Sequence, residues 1–193
     1  ASRNLDYWDK LWFDCEETLE DPAQADEVEQ AVLEMCRLIV GREERMLELA
    51  NKFFTLQDLL DIKTRLIGTG YIGGKAVGML LARKILMSEP DAGWRDHLEM
   101  HDSFYIGSDV FHTYIIENGG WMQRMEHKTP EGYFSGAEGL REKLLGGTFP
   151  PEIEEQFQEL IEYFGQSPII VRSSSLLEDS FGNAFAGKYE SVF

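Results

Sequence analysis

Pro168-Ile169-Ile170-Val171-Arg172-Ser173-Ser174-Ser175 runs into Leu176-Leu177-Glu178-Asp179 and then into Ala184-Phe185-Ala186-Gly187-Lys188. The β-branched residues Ile169, Ile170 and Val171 predict a strand. That strand delivers an arginine and three hydroxyl residues into a polar loop, which ends in a turn of small residues. Arg172 carries a permanent charge and a planar fork of donors matched to phosphate. The serines and their backbone N–H groups add neutral donors. By residue type alone Arg172 reads as an ion-pair partner of Glu178 or Asp179. Its place at a strand end beside Ser173 and Ser174 favours phosphate.

A second unusual stretch lies far upstream: Gly68-Thr69-Gly70-Tyr71-Ile72-Gly73-Gly74-Lys75-Ala76-Val77-Gly78. Glycine lets backbone approach a ligand closely, and Lys75 beside it supplies a point charge near a helix start. The blander reading of Lys75 is an exposed lysine on a capping loop. Gly68 to Gly73 also fits the dinucleotide pattern Gly-x-Gly-x-x-Gly, which is weak alone. The preceding run, Asp61 to Ile67, is too polar for a buried parallel strand. The Walker A pattern fails, with Thr69 where glycine is needed and Ala76 after the lysine.

Three blocks in this order resemble the N-terminal ATP-binding domain shared by pyruvate phosphate dikinase and phosphoenolpyruvate synthase. They are Gly73-Gly74-Lys75-Ala76, Val171-Arg172-Ser173-Ser174, and Glu178-Asp179 with Phe185-Ala186-Gly187. The resemblance runs from Leu66 to the C-terminus. It implies an α+β (α/β-like) fold, the first part of an ATP-grasp-like nucleotide-binding domain. It implies that Gly73, Gly74, Lys75, Arg172, Ser173, Ser174 and Gly187 hold ATP, with the Asp179–Gly187 loop over the γ-phosphate. Relatives pass the phosphoryl group to a histidine on a separate downstream domain. The ligands for Mg²⁺ and the phosphorylatable histidine are expected outside this chain, which is read as part of a longer protein. It carries no catalytic residue on this reading and is not expected to catalyse the full reaction alone. Ala76 departs from the family's glycine, and Lys188 stands where relatives often carry glutamine.

Size and composition set the frame. The 193 residues are 43% hydrophobic and 12% aromatic, enough for a folded core. Net charge is −17, from 35 acidic and 18 basic residues. Such a field repels nucleic-acid backbones, so the cations of a nucleotide site must be local. No apolar run reaches transmembrane length and no signal core opens the chain, so a cytoplasmic protein with no membrane partner is expected. Cys15 and Cys36 read as two inert thiols. His97-Leu98-Glu99-Met100-His101 misplaces the glutamate of a zinc helix, and the serines have no nucleophile elbow.

Residues 1–61 read as a helical N-terminal extension and 62–193 as the nucleotide-binding subdomain. Helical spacing links Tyr7, Trp8, Leu11, Trp12 and Phe13, then Val28, Val32, Met35, Leu38 and Ile39, then Met46, Leu49 and Phe53. Gly41 separates the second helix from the third, and Thr55-Leu56-Gln57-Asp58 is an N-cap for a fourth. Ile62 to Gly68 is expected as a short strand or loop, Val77 to Leu86 as a helix, and Ser103 to Gly107 as a strand. Ser108-Asp109 opens another helix to about Glu117. Trp121 to Gly147 is a helical excursion with Leu140, Leu144 and Leu145, and another helix follows Pro150-Pro151. The resulting function is the ATP-binding part of a phosphotransferase. A second reading keeps the fold as a non-catalytic ATP-sensing or protein-interaction module. A dinucleotide oxidoreductase is a third, and predicts no effect of Arg172→Ala.

Overall fold

Apolar residues every three or four positions drive the N-terminal third into helices that bury one face each. In the computed structural model these are α1 (Tyr7–Glu20), α2 (Ala25–Ile39), α3 (Glu44–Phe53) and α4 (Leu56–Thr64). The structure describes residues 7–20, 25–89, 93–99, 102–126, 128–129, 132, 135–175, 179–180, 183–184 and 191–192.

Local chemistry fixes the helix starts. Glu43 caps α3 by accepting from the N–H groups of Arg45 and Met46. Thr55 and Asp58 form a reciprocal capping box at α4: Asp58 N–H donates to Thr55 Oγ1, and Thr55 N–H donates to Asp58 Oδ2. α2 has Asp26 and Glu27 in its first turn and Arg37 in its last, which complements its dipole. Because Leu59, Leu60 and Ile62 are buried, α4 continues to Thr64. The expected strand or loop from Ile62 therefore shrinks to β1 (Leu66–Ile67).

The core gathers Trp12 and Cys15 of α1, Met35, Cys36 and Ile39 of α2, Ala50 of α3, and Leu56 and Leu59 of α4. Ile72 and then Val77 and Leu81 of α5 (Gly74–Ser88) join the same cluster. Each fully buried large side chain contributes about 1.5–3 kcal/mol relative to exposure. The long helix behind the Gly-rich turn thus rests on the N-terminal helices. An ion pair from Lys84 to Asp58 ties α5 to α4 as well. Burial pushes the Cys15 thiol up to about 11 and the Cys36 thiol up to about 12.

β1 pairs in parallel with β2 (Tyr105–Ile106), Leu66 opposite Tyr105 and Ile67 opposite Ile106. Then come α6 (Ser108–Glu117), α7 (Trp121–Glu126), α8 (Ala137–Leu145) and α9 (Pro151–Phe164). Within the expected 121–147 excursion, α7 and α8 are helical, whereas the described residues between them are turn or bend; Leu140 is buried, but Leu145 faces solvent. β3 covers only Val171–Arg172, not Ile169 and Ile170, and pairs antiparallel with β6 (Ser191–Val192). Ile170 and Val171 are about half exposed, at 49% and 52%, so no packing draws the run into a longer strand. A further antiparallel pair joins β4 (Asp179–Ser180) and β5 (Asn183–Ala184). The fold is α+β: mostly helical, with short sheets.

α9 is held at both ends. Phe149, just before it, packs on Tyr114 at 4.4 Å and on Phe157 at 5.1 Å. Near its C-terminus Tyr163 and Phe164 pack edge-on against Phe104, at 5.2 and 5.6 Å. Tyr163 OH donates to Asp102 Oδ2 at 2.9 Å, and Arg65 pairs with Oδ1 of the same carboxylate. Arg65 holds the Asp102 carboxyl below its usual range. No described helix is long and apolar enough to cross a membrane.

Candidate functional site

α5 begins where the Gly-rich turn ends. Gly73 is its N-cap, with φ 85° and ψ 165°, a region essentially reserved for glycine. Its carbonyl accepts the first helical bond, from Val77 N–H at 3.1 Å. With no side chain, Gly73 cannot cap the helix. The cap comes from 98 residues away: Ala76 N–H donates to Ser174 Oγ at 3.0 Å. The two backbones close on each other here, since a β-carbon on Gly73 would lie 1.4 Å from the carbonyl oxygen of Ser174. Glycine at 73 is thus a requirement of the contact.

Of the predicted site residues, the structure joins Gly73, Gly74, Lys75 and Ser174 in this one corner. Gly73 and Gly74 are buried, Lys75 is half-buried in the first turn of α5, and Ser173 and Ser174 are half-buried. Arg172 is exposed on β3, opposite Ser191 in register. Chain geometry keeps the Arg172 and Ser174 Cα atoms within about 7 Å, so the arginine is anchored beside the start of α5. Gly187 lies outside the described residues, as do Glu178, Phe185, Ala186 and Lys188; of the expected γ-phosphate loop the structure describes only the β4–β5 pair. The same holds for His101, the second histidine of the zinc-like run.

Charge is arranged unusually at this corner. Seven described helices of nine residues or more, α1 to α4, α6, α8 and α9, carry an acid in the first turn. α5, with 15 residues, carries none there, and has Lys75 instead. In a chain of net charge −17, α5 is thus a long helix whose own first turn carries no carboxylate to offset its positive N-terminal end. Such an end, with a lysine in its first turn and an arginine close by, is suited to an anionic oxygen.

Sequence reasoning missed the side chains that hold the turn. Thr69 donates its N–H to Asp109 Oδ1 and its hydroxyl to Asp109 Oδ2, both at 2.7 Å. Tyr71 N–H donates to Ser108 Oγ at 3.0 Å, and Gly68 N–H to Gln156 Oε1 at 3.2 Å. Ile72 N–H donates to the carbonyl of Ile39 at 3.0 Å, fixing the turn to the end of α2. Ser108 and Asp109 signal a helix start in the sequence, which they are, but their side chains serve the turn. Gln156 gives no signal on an acidic helix. Among the described residues no group of three or more His, Cys, Asp or Glu side chains is placed to hold a metal ion.

The chain is thus an α+β domain in which a glycine-capped helix start meets a distant Arg-Ser-Ser loop. The comparisons make it specific: the family model of the pyruvate phosphate dikinase AMP/ATP-binding domain matches residues 69–193, and the chain belongs to that family. It is accordingly an AMP/ATP-binding domain of the dikinase family. Neither a curated protein nor a solved structure matches the chain.

Proposed function

We propose that the corner between α5 and the Arg172–Ser175 loop holds the phosphates of ATP for transfer to a histidine on another domain. One observation carries the reading: Ala76 N–H to Ser174 Oγ, which brings two phosphate-type segments 98 residues apart onto one helix start. Gly73 and Gly74 let the ligand approach the backbone, Lys75 and Arg172 supply positive charge, and Ser173 and Ser174 supply hydroxyls. Gly187 belongs to the covering loop on this reading. Donors set in advance offset charge on the phosphoryl group as it leaves, without reorganising at that moment. Residues 62–193 make up the first part of an ATP-grasp-like domain of a cytoplasmic phosphotransferase, and the 1–61 helices buttress α5.

Mg²⁺ accompanies ATP in the related enzymes, but the described residues do not fit it. Both oxygens of Asp109, the carboxylate at the turn, are engaged by Thr69. Ligands for Mg²⁺ are therefore proposed to come from outside the described residues, and no step is routed through it here.

Titration of the chain with ATP, beside Lys75→Ala and Arg172→Ala, tests the assignment. Loss of a charged phosphate contact costs about 1.5–3 kcal/mol, or roughly 10- to 150-fold in affinity. Both variants should lose ATP more than AMP. ATP affinity unchanged in both would overturn the assignment.

A further inference from the structure

Three glycines of the turn, Gly68, Gly70 and Gly73, have positive φ, and such a segment is costly to order. Yet the residue between the first two is bound at every polar group. Thr69 gives its N–H and its hydroxyl to the two oxygens of Asp109, and its carbonyl accepts from Asp109 N–H at 3.3 Å. The approach is so close that a β-carbon on Gly107 would lie 1.9 Å from the Thr69 carbonyl oxygen. The two 2.7 Å bonds to a half-buried carboxylate are charge-assisted, roughly twice as strong as neutral ones.

We propose that Asp109 is a positioning residue for nucleotide binding. It clamps Thr69, and through Thr69 it fixes the turn that presents Gly73 and Lys75 to the phosphates. The inference rests on the nucleotide site set out above. A carboxylate has no attraction for phosphate, so its effect on affinity must pass through the turn. Ser108 and Gln156 each hold one N–H of the turn, whereas Asp109 engages all three polar groups of one residue. An ordered turn spares the ligand the cost of ordering it, and affinity rises accordingly.

The test is the ATP dissociation constant of the full chain, measured by calorimetry well below the unfolding temperature. Asp109→Ala and Thr69→Val should each weaken binding about 10-fold, from loss of one to two bonds that order the turn. The double variant should be scarcely weaker than Asp109→Ala alone, because Thr69→Val removes a bond that Asp109→Ala has already removed. Thr69→Ser keeps both bonds and should restore the affinity that Thr69→Val loses. Asp109→Asn keeps an acceptor for Thr69 N–H and should fall between the parent and Asp109→Ala; it carries the test if the alanine variant does not fold. A purely structural role predicts a lower melting temperature with an unchanged dissociation constant, and that result would overturn the proposal. Unchanged binding in Lys75→Ala and Arg172→Ala would instead show that the site itself was misplaced. Loss in those two variants with none in Asp109→Ala or Asp109→Asn would overturn the clamp alone.

Discussion

Replacing Gly73 by alanine probes the contact on which the site depends. The native φ of 85° and ψ of 165° cost a residue with a β-carbon about 1–3 kcal/mol. The new methyl would also start 1.4 Å from the Ser174 carbonyl oxygen, where real β-carbons come no closer than 3.0 Å. The two segments must then part by about 1.6 Å, which takes the 3.0 Å bond from Ala76 N–H to Ser174 Oγ beyond bonding range. Losing that bond adds about 1 kcal/mol. The turn is fixed by Asp109, Ser108, Gln156 and Ile39, and α5 by the core, so the Arg172–Ser175 loop is the side that gives. Only the backbone strain then falls on global stability. At about 2–4 °C per kcal/mol for a chain of this size, the melting temperature should drop by roughly 2–12 °C. ATP affinity should fall at least 10-fold, because the departing loop carries Arg172. Circular dichroism at the helix band gives the first quantity and calorimetric titration the second. A Gly73→Ala protein with parental melting temperature and parental ATP affinity would refute the close approach.

Other substitutions separate the site from its support. Gly78 lies in α5 on the exposed side, with nothing within 4 Å of an added β-carbon, so Gly78→Ala should stabilise by about 0.5–1 kcal/mol in denaturant unfolding and leave ATP binding alone. Thr55→Ala removes one half of the α4 capping box and should cost about 1 kcal/mol, seen as a lower denaturant midpoint at constant slope. The two cysteines, raised to about 11 and about 12 against an ordinary 9.0, stay protonated in the folded state after the unfolded chain has begun to ionise. Their contribution to stability is whole below pH 9 and is lost as pH rises through 11 and 12. For Cys36 it is on the order of 4 kcal/mol. Folded protein at pH 8 should therefore resist iodoacetamide until denaturant is added; rapid labelling without denaturant would contradict the burial.

Much of the scaffold was legible because its signals are local. Helical spacing from Tyr7 to Phe53, the break at Gly41 and the capping box at Thr55 each depend on residues within one or two turns, and the helices stand there. Leu59, Leu60 and Ile62 extend α4 to Thr64, past Ile62, where a short strand or loop was expected to begin. The β-branched run at Ile169 fell short in the opposite direction: Val171 pairs with Val192, but strand propensity also needs a packed face, and Ile170 and Val171 are about half exposed. At the site, the glycines and the Arg-Ser-Ser loop could be read from residue type and spacing. Nothing in the sequence says that Ser174 caps α5, or that Asp109 and Gln156 reach across to Gly68 and Thr69. Those bonds join positions 40 to 98 apart, and only the folded chain decides them.

The distance along the chain from Ala76 to Ser174 also bears on the order of folding. α1 to α5 are sequence neighbours whose core forms from short-range contacts, and short-range contacts form fast. The cap at α5 must close a loop of 98 residues, an entropic step that can follow once the intervening elements are in place. The corner is then the last part to assemble and the first to open, as a local event below the free energy of global unfolding. In hydrogen exchange the Ala76 amide should accordingly exchange sooner than amides in the middle of α2. A nucleotide that binds only the closed corner lowers the open population by mass action. Slower exchange at that single amide would report occupancy of the site, while the helical core exchanges as before.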